Sequence, residues 1–113
     1  MELIELQTII NADIKICFDL ARNIDFHQQS LVHSKEKAVA GKTSGLIELG
    51  ESVTWQATHF GIKQQLTSKI TQFNSPHYFV DEMVSGAFTS FKHEHIFEEK
   101  GNTTLMTDKF HFE

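Results

Sequence analysis

The chain changes its hydrophobic rhythm once, early. Leu3, Ile4, Leu6, Ile9 and Ile10 crowd the stretch Glu2–Ile10, which reads as a first strand. Asn11-Ala12-Asp13 interrupts it, and Asp13 is placed to cap a helix. Ile14, Cys17, Phe18 and Ala21 follow at helical spacing, so Asp13–Asn23 is expected as a short amphipathic helix. A second helical piece is expected over Ile24–Ser34, with Asp25 as its cap. From Lys35 onward the chain reads as strands. Lys37–Ala40 and Gly45–Leu49 are short ones, and Gly50-Glu51 is a turn. Ser52–Phe60 sets Val53, Trp55, Ala57 and His59 against Ser52, Thr54, Gln56 and Thr58. Lys63–Phe73 is long, and Asn74-Ser75-Pro76 turns it. Tyr78–Val84 and Thr89–Glu99 are joined through Ser85-Gly86. Lys100-Gly101-Asn102-Thr103 is a hairpin turn, and Thr104–Phe112 is the last strand. A strand, two helices and about six strands in sequence indicate an α+β domain with an antiparallel sheet.

One segment stands out, SFKHEHIFEE over Ser90–Glu99. Side chains alternate between faces of a strand, so Phe91, His93, His95 and Phe97 share one face. Lys92, Glu94 and Glu98 share the other, which is the wet side. The two histidines therefore lie on the face that should be dry. A two-residue loop at Gly101-Asn102 fixes the partner strand's register. Phe97 then faces Met106, His95 faces Asp108, His93 faces Phe110 and Phe91 faces Phe112. A slip by one residue would set this face against its neighbour's solvent face. His95 and Asp108 are thus expected as direct neighbours within hydrogen-bond reach. The connection at Ser85-Gly86 leaves open whether Asp81 or Glu82 points inward. Trp55 and His59 are placed inward on their own strand.

This set has several readings. His95–Asp108 serves as a satisfied structural pair, as a polar anchor for a ligand, or as an acid–base pair in an enzyme of the cyclase/dehydratase kind. His93-x-His95 with an aspartate also has metal-ligand chemistry. A third firm ligand and a cysteine are missing, so neither a metal nor another cofactor is expected. Gly41-x-x-x-Gly45 is too sparse for a phosphate loop and precedes no clear helix. Cys17 has nothing basic beside it and reads as a buried helix-face residue.

Composition narrows the partners. The 113 residues suffice for one domain, 1–113. Ten phenylalanines against one Trp and one Tyr suit a large core or a cavity wall. A formal charge of −5, with no cluster of Lys or Arg, argues against nucleic acid and anionic membranes. No apolar run approaches the roughly 20 residues of a spanning helix, and MELIELQTII lacks a signal peptide's basic region. A lone cysteine fits a reduced, cytoplasmic setting.

FVDEMVSGAFTSFKHEHIFEE followed by TLMTDKFHFE resembles the START-like SRPBCC superfamily of polyketide cyclase/dehydrase-like and lipid-transfer-like proteins, and within it small bacterial ligand-binding-type members. Phe79, Asp81, Glu82, Gly86, Phe88, Phe91, His93, His95, Phe97, Thr104 and Asp108 carry the resemblance. VTWQATHFG and NADIKICFDLARNID extend it over nearly the whole chain. It implies a helix-grip fold, a seven-stranded antiparallel sheet around a long C-terminal helix with an apolar cavity between. It also implies binding of hydrophobic molecules such as lipids, sterols or polyketides, with a minority of members catalysing cyclisation or dehydration. The reading taken is a non-enzymatic role in binding a small hydrophobic ligand, lipid- or polyketide-like. The candidate ligand-binding residues are Trp55, His59, Phe79, Phe91, His93, His95, Met106, Asp108 and Phe110. The sequence stops at Glu113 just after the last strand, so the family's long helix has no counterpart in it. An open apolar face of that size is expected to be covered. The expectation is a homodimer through that face, an exchanged element, or a truncated domain acting as an interaction module.

Overall fold

The fold was analysed in a computed structural model, which describes residues 2–30, 35–86 and 88–113, with the side chain of His59 outside that description. The order is β1 (Glu2–Ile10), α1 (Ile14–Ala21), α2 (Ile24–Ser30), β2 (Lys37–Gly41), β3 (Ser52–His59), β4 (Ile62–Asn74), β5 (Tyr78–Ser85), β6 (Phe91–Lys100) and β7 (Thr103–Phe112). The seven strands form one antiparallel sheet in the order β1-β7-β6-β5-β4-β3-β2. β2 to β7 is a sequential meander, and β1 closes its far edge beside β7. Residues 31–34, the expected end of the second helix, lie outside the described residues.

Local chemistry accounts for most boundaries. Asp13 caps α1, its carboxylate accepting the Lys15 N–H at 3.2 Å. α2 is capped by Asn23, whose side-chain oxygen accepts the Phe26 N–H at 2.9 Å. This corrects the expected cap at Asp25, which instead accepts the Gly45 N–H at 2.9 Å. Phe60-Gly61, with φ of 52° and 78°, is a two-residue hairpin loop between β3 and β4. Gly41, at φ 73°, has no room for a side chain. A Cβ there would sit 2.3 Å from the Ser52 carbonyl oxygen, beside the bulge that shifts the β2 register.

Gly45–Leu49 is not a strand. Only an isolated bridge, Asn23 to Leu46, forms there. Its backbone is used by the α1–α2 junction instead. Ile47 N–H donates to the Arg22 carbonyl at 3.0 Å, and Ile24 N–H donates to the Gly45 carbonyl at 2.8 Å. Ile47 is buried in the core, so the apolar signal was real but served the helices.

Core formation centres on Phe18. It lies edge-on to Phe73, Phe79 and Phe97 at centroid distances of 5.4, 5.3 and 5.4 Å. Ile14, Cys17, Ile24, Ile47, Val53 and Ile70 complete the cluster. Arg22 is buried above it, 5.1 Å from the Phe73 ring, and donates to the Ile47 carbonyl at 3.1 Å and to Asp19 at 3.0 Å. Helices thus cover one end of the sheet's inner face, the face that carries Phe79 and Phe97. Toward β1 that face is less covered. Ile4 and Leu6, paired with Phe110 and Asp108, stay 48% and 54% exposed.

Thr104 pins the corner between β1 and α1. Its hydroxyl is fully buried and donates to the Ala12 carbonyl at 2.8 Å. Thr104→Val keeps the shape and removes the donor. It is expected to lower stability by about 1–3 kcal/mol, because the part-buried Ala12 carbonyl keeps only the weak Cys17 thiol contact at 3.8 Å. Urea denaturation checks this, and a loss below roughly 0.5 kcal/mol would mean that water replaces the hydroxyl.

Candidate functional site

Three adjacent strands bring four polar side chains to one patch of the inner face. Pairing of β5 with β6 sets Asp81 opposite His93, and pairing of β6 with β7 sets His95 opposite Asp108. The β6–β7 register agrees with the expected one at every pair from Phe91–Phe112 to Lys100–Thr103. Asp81, not Glu82, therefore faces inward. The connection from β5 to β6 takes residues 86–90, longer than the Ser85-Gly86 junction read from the sequence.

The hydrogen bonds run diagonally across this register. His93 Nε2 lies 2.8 Å from Asp108 Oδ1, and His95 Nε2 lies 2.7 Å from Asp81 Oδ2. The directly opposed groups are farther apart. His95 Nδ1 is 3.6 Å from Asp108, and His93 Nδ1 is 3.7 Å from Asp81. The expected His95–Asp108 hydrogen bond is thus replaced by two exchanged pairs. Ring stacking explains the exchange. Residues two apart on a strand are separated by about 6.6 Å. The His93 and His95 ring centroids are only 3.6 Å apart, so the rings lean together and carry each Nε2 toward the diagonal carboxylate.

Phenylalanines extend the stack on both sides. Phe79 lies on His95 at 3.9 Å with an 11° tilt, and Phe110 lies against His93 at 4.0 Å. Four rings from three strands make a continuous apolar wall with two carboxylates at its edges. His95 is only 8% exposed, and its burial lowers its pKa against the opposing pull of Asp81. His93, Asp81 and Asp108 are partly open to solvent.

Phe79, Phe91, His93, His95, Met106, Asp108 and Phe110 thus share one face of β5–β7. Phe91 joins Phe88 and Phe112 in a small aromatic group at its open end. Met106 packs on the core beside Phe97. Trp55 is set apart from this group on β3, with β4 between. The expected place of His59 in the site lies outside the described side chains.

His27 was missed in the sequence. Its ring lies 4.5 Å from Trp55, within electrostatic range of Asp81 and His93. Desolvation of its packed flank lowers its pKa. Its spacing of three from buried Ile24 was the available signal.

A separate polar group lies on the opposite face. Tyr78 donates to Glu94 at 2.8 Å, and His111 Nε2 meets the other Glu94 oxygen at 2.6 Å. The His111 bond holds the Glu94 carboxyl below its usual range, while burial and the Glu94 contact push Tyr78 up to about 12. An open cavity of about 820 Å³ also lies apart from the His93–His95 stack, its described lining being Gln28, Gln29, Lys35, Glu36, Lys37, Gln56, Thr58 and Lys63. Among the described side chains, none of the expected ligand-binding residues lines it. Among the described residues no helix is long and apolar enough to cross a membrane.

No family model and no curated protein matches this chain. Solved structures do. Ginseng major latex-like protein 151 from Panax ginseng superposes with a TM-score of 0.71 at 18% identity, over 99% of this chain and 78% of that one. TTHA0849 from Thermus thermophilus gives 0.75 at 14% identity, over 99% and 74%. CalU16 from Micromonospora echinospora gives 0.64 at 12% identity, over 96% and 59%. At such identities the likeness concerns the fold. The chain carries the seven-stranded antiparallel sheet and the two short helices of the START-like, helix-grip fold.

Proposed function

We propose that the inner face of β5–β7 binds a small hydrophobic molecule carrying one polar group, without catalysing a reaction on it. The observation behind this reading is the four-ring stack with its paired carboxylates. It offers a long apolar contact and a few convergent polar atoms, the usual make-up of a small-molecule site. Burying apolar ligand surface there contributes about 25 cal/mol per Å². His93 and Asp108, more open than His95, would meet the ligand's hydroxyl or carbonyl. The SRPBCC resemblance supports a lipid- or polyketide-like ligand. The 820 Å³ cavity also has a suitable size, but its described lining residues include no aromatic ring and none of the paired carboxylates.

Two probes of the same shape separate the apolar and polar contributions. Naphthalene has only the hydrocarbon, and 1-naphthol adds a hydroxyl. His93→Phe preserves a ring in the stack and removes the polar atoms. It is expected to weaken 1-naphthol by up to roughly tenfold, the equivalent of one hydrogen bond, and to leave naphthalene nearly unchanged. Equal losses for both probes would contradict the polar role.

The exposed Ile4 and Leu6 edge gives the same face a second consequence. We propose that two copies associate through it, in the reduced cytoplasmic setting that one buried, unpaired cysteine fits. Sedimentation velocity that finds only monomer at high concentration would contradict the association and leave the ligand reading standing.

A further inference from the structure

Charge bookkeeping inside the histidine cluster is incomplete. A neutral imidazole has one N–H to donate. Two rings supply two donors, which matches the two short bonds to Asp108 and Asp81. The remaining ring nitrogens then direct lone pairs toward carboxylate oxygens at 3.6 and 3.7 Å. Two carboxylates also bring two negative charges to a patch walled by Phe79 and Phe110. Among the described residues no lysine or arginine forms an ion pair with Asp81 or Asp108. One divalent cation beside Asp81 would balance this patch, taking the His93 Nδ1 lone pair and, once the His95 proton moves to Nδ1 on the Asp108 side, the His95 Nε2 lone pair.

We propose that Asp81, His93 and His95, with Asp108 as the hydrogen-bond partner of the far ring nitrogens, form a site for one first-row divalent transition metal, with zinc its simplest occupant. One ligand atom from each of Asp81, His93 and His95 lies within 4.8 Å of the others. Zinc holds such ligands at about 2.0–2.2 Å, so a tetrahedral set needs donors roughly 3.4 Å apart. Rotation of three side chains on fixed strands provides that closure. Two imidazoles with carboxylates favour zinc, iron, nickel or copper over magnesium and calcium, which prefer all-oxygen shells. The phenylalanines on either side would fix the ring planes and keep the shell dry. The ligand missing from the sequence reading was Asp81, supplied by β5. The opposite-face group of Tyr78, Glu94 and His111 has one imidazole and one carboxylate and is the weaker competitor.

The test uses the full chain, free of any affinity tag and stripped with a chelator, titrated calorimetrically with zinc chloride near neutral pH. No organic ligand is present, so the outcome is separate from the hydrophobic-ligand reading. Expected are one saturable site per chain and a rise in melting temperature with zinc. His93→Gln and Asp81→Asn should each weaken zinc by about 100-fold or more, since removing a ligand exceeds the roughly 10–100-fold of losing a supporting contact. His111→Gln should leave affinity unchanged. If a cluster variant fails to fold, cobalt loading of the unaltered protein decides. Intense visible bands of a four- or five-coordinate ion support the site, and weak octahedral bands overturn it. No saturable zinc uptake, or cluster variants that bind as tightly as the parent, would equally overturn it.

Discussion

Phe18→Ala is expected to destabilise the fold by about 3–5 kcal/mol, the largest loss of any single substitution considered. The side chain is fully buried and makes edge-to-face contacts with Phe73, Phe79 and Phe97. Removing it strips the helix of its main contact with the sheet and leaves a void that rigid neighbours cannot fill. Three ring contacts disappear at once, each worth about 0.5–1.5 kcal/mol beyond area alone. A domain of this size has only some 5–15 kcal/mol of stability, so the variant would be marginal at physiological temperature. Equilibrium urea unfolding measures the difference. A loss below about 1.5 kcal/mol would mean that α1 docks on the sheet loosely, and the core described above would be wrong. Phe18→Leu, which keeps much of the volume, should lose considerably less.

Acid should destabilise the protein well above the range in which carboxylates titrate. The cause is His95, whose pKa is lowered mainly by burial. The unfolded chain, with His95 near 6.5, binds a proton that the native state resists. Stability is therefore fully present above about pH 6.5 and declines as pH falls from there toward the folded pKa. One proton gives a slope of at most about 1.4 kcal/mol per pH unit. His27, lowered by desolvation, acts in the same direction. Glu94 acts in a different window. Its pKa is lowered from 4.5, so its contribution is lost only as pH falls below that value. Urea midpoints in chelator between about pH 7.5 and 5.5 should thus fall with acid, and His95→Gln should flatten that fall whatever its own stability. A parent curve with no slope in this window would contradict the buried, neutral His95.

Parts of this architecture could be read from the sequence because they depend on local rules. The Gly101-Asn102 loop fixed the β6–β7 register, and with it the shared face of His93, His95 and Asp108. The spacing of Ile14, Cys17 and Phe18 marked the face of α1. Other parts depend on distances the sequence does not encode. The length of the Gly86–Ser90 connection decides whether Asp81 or Glu82 turns inward, and that choice determines the bonding partner of His95. The exchange of partners within the cluster follows from ring stacking, which is a side-chain event invisible to register. Gly45–Leu49 shows the limit of periodicity. An apolar residue among polar ones, such as Ile47, marks burial without saying whether a sheet or a helix junction buries it. His27 belongs to a helix whose packing partner, Trp55, is distant in sequence.

The claim that matters most is that the inner face of β5–β7 is the binding surface. Backbone amide spectra recorded during a titration with 8-anilinonaphthalene-1-sulfonate, an apolar double ring with one polar group, address it directly. The account predicts saturable one-to-one shifts clustered on Phe79–Asp81, Phe91–Phe97 and Met106–Phe110. Shifts confined to Gln28, Gln56, Thr58 and Lys63 around the separate open cavity, or no saturable shifts, would contradict it.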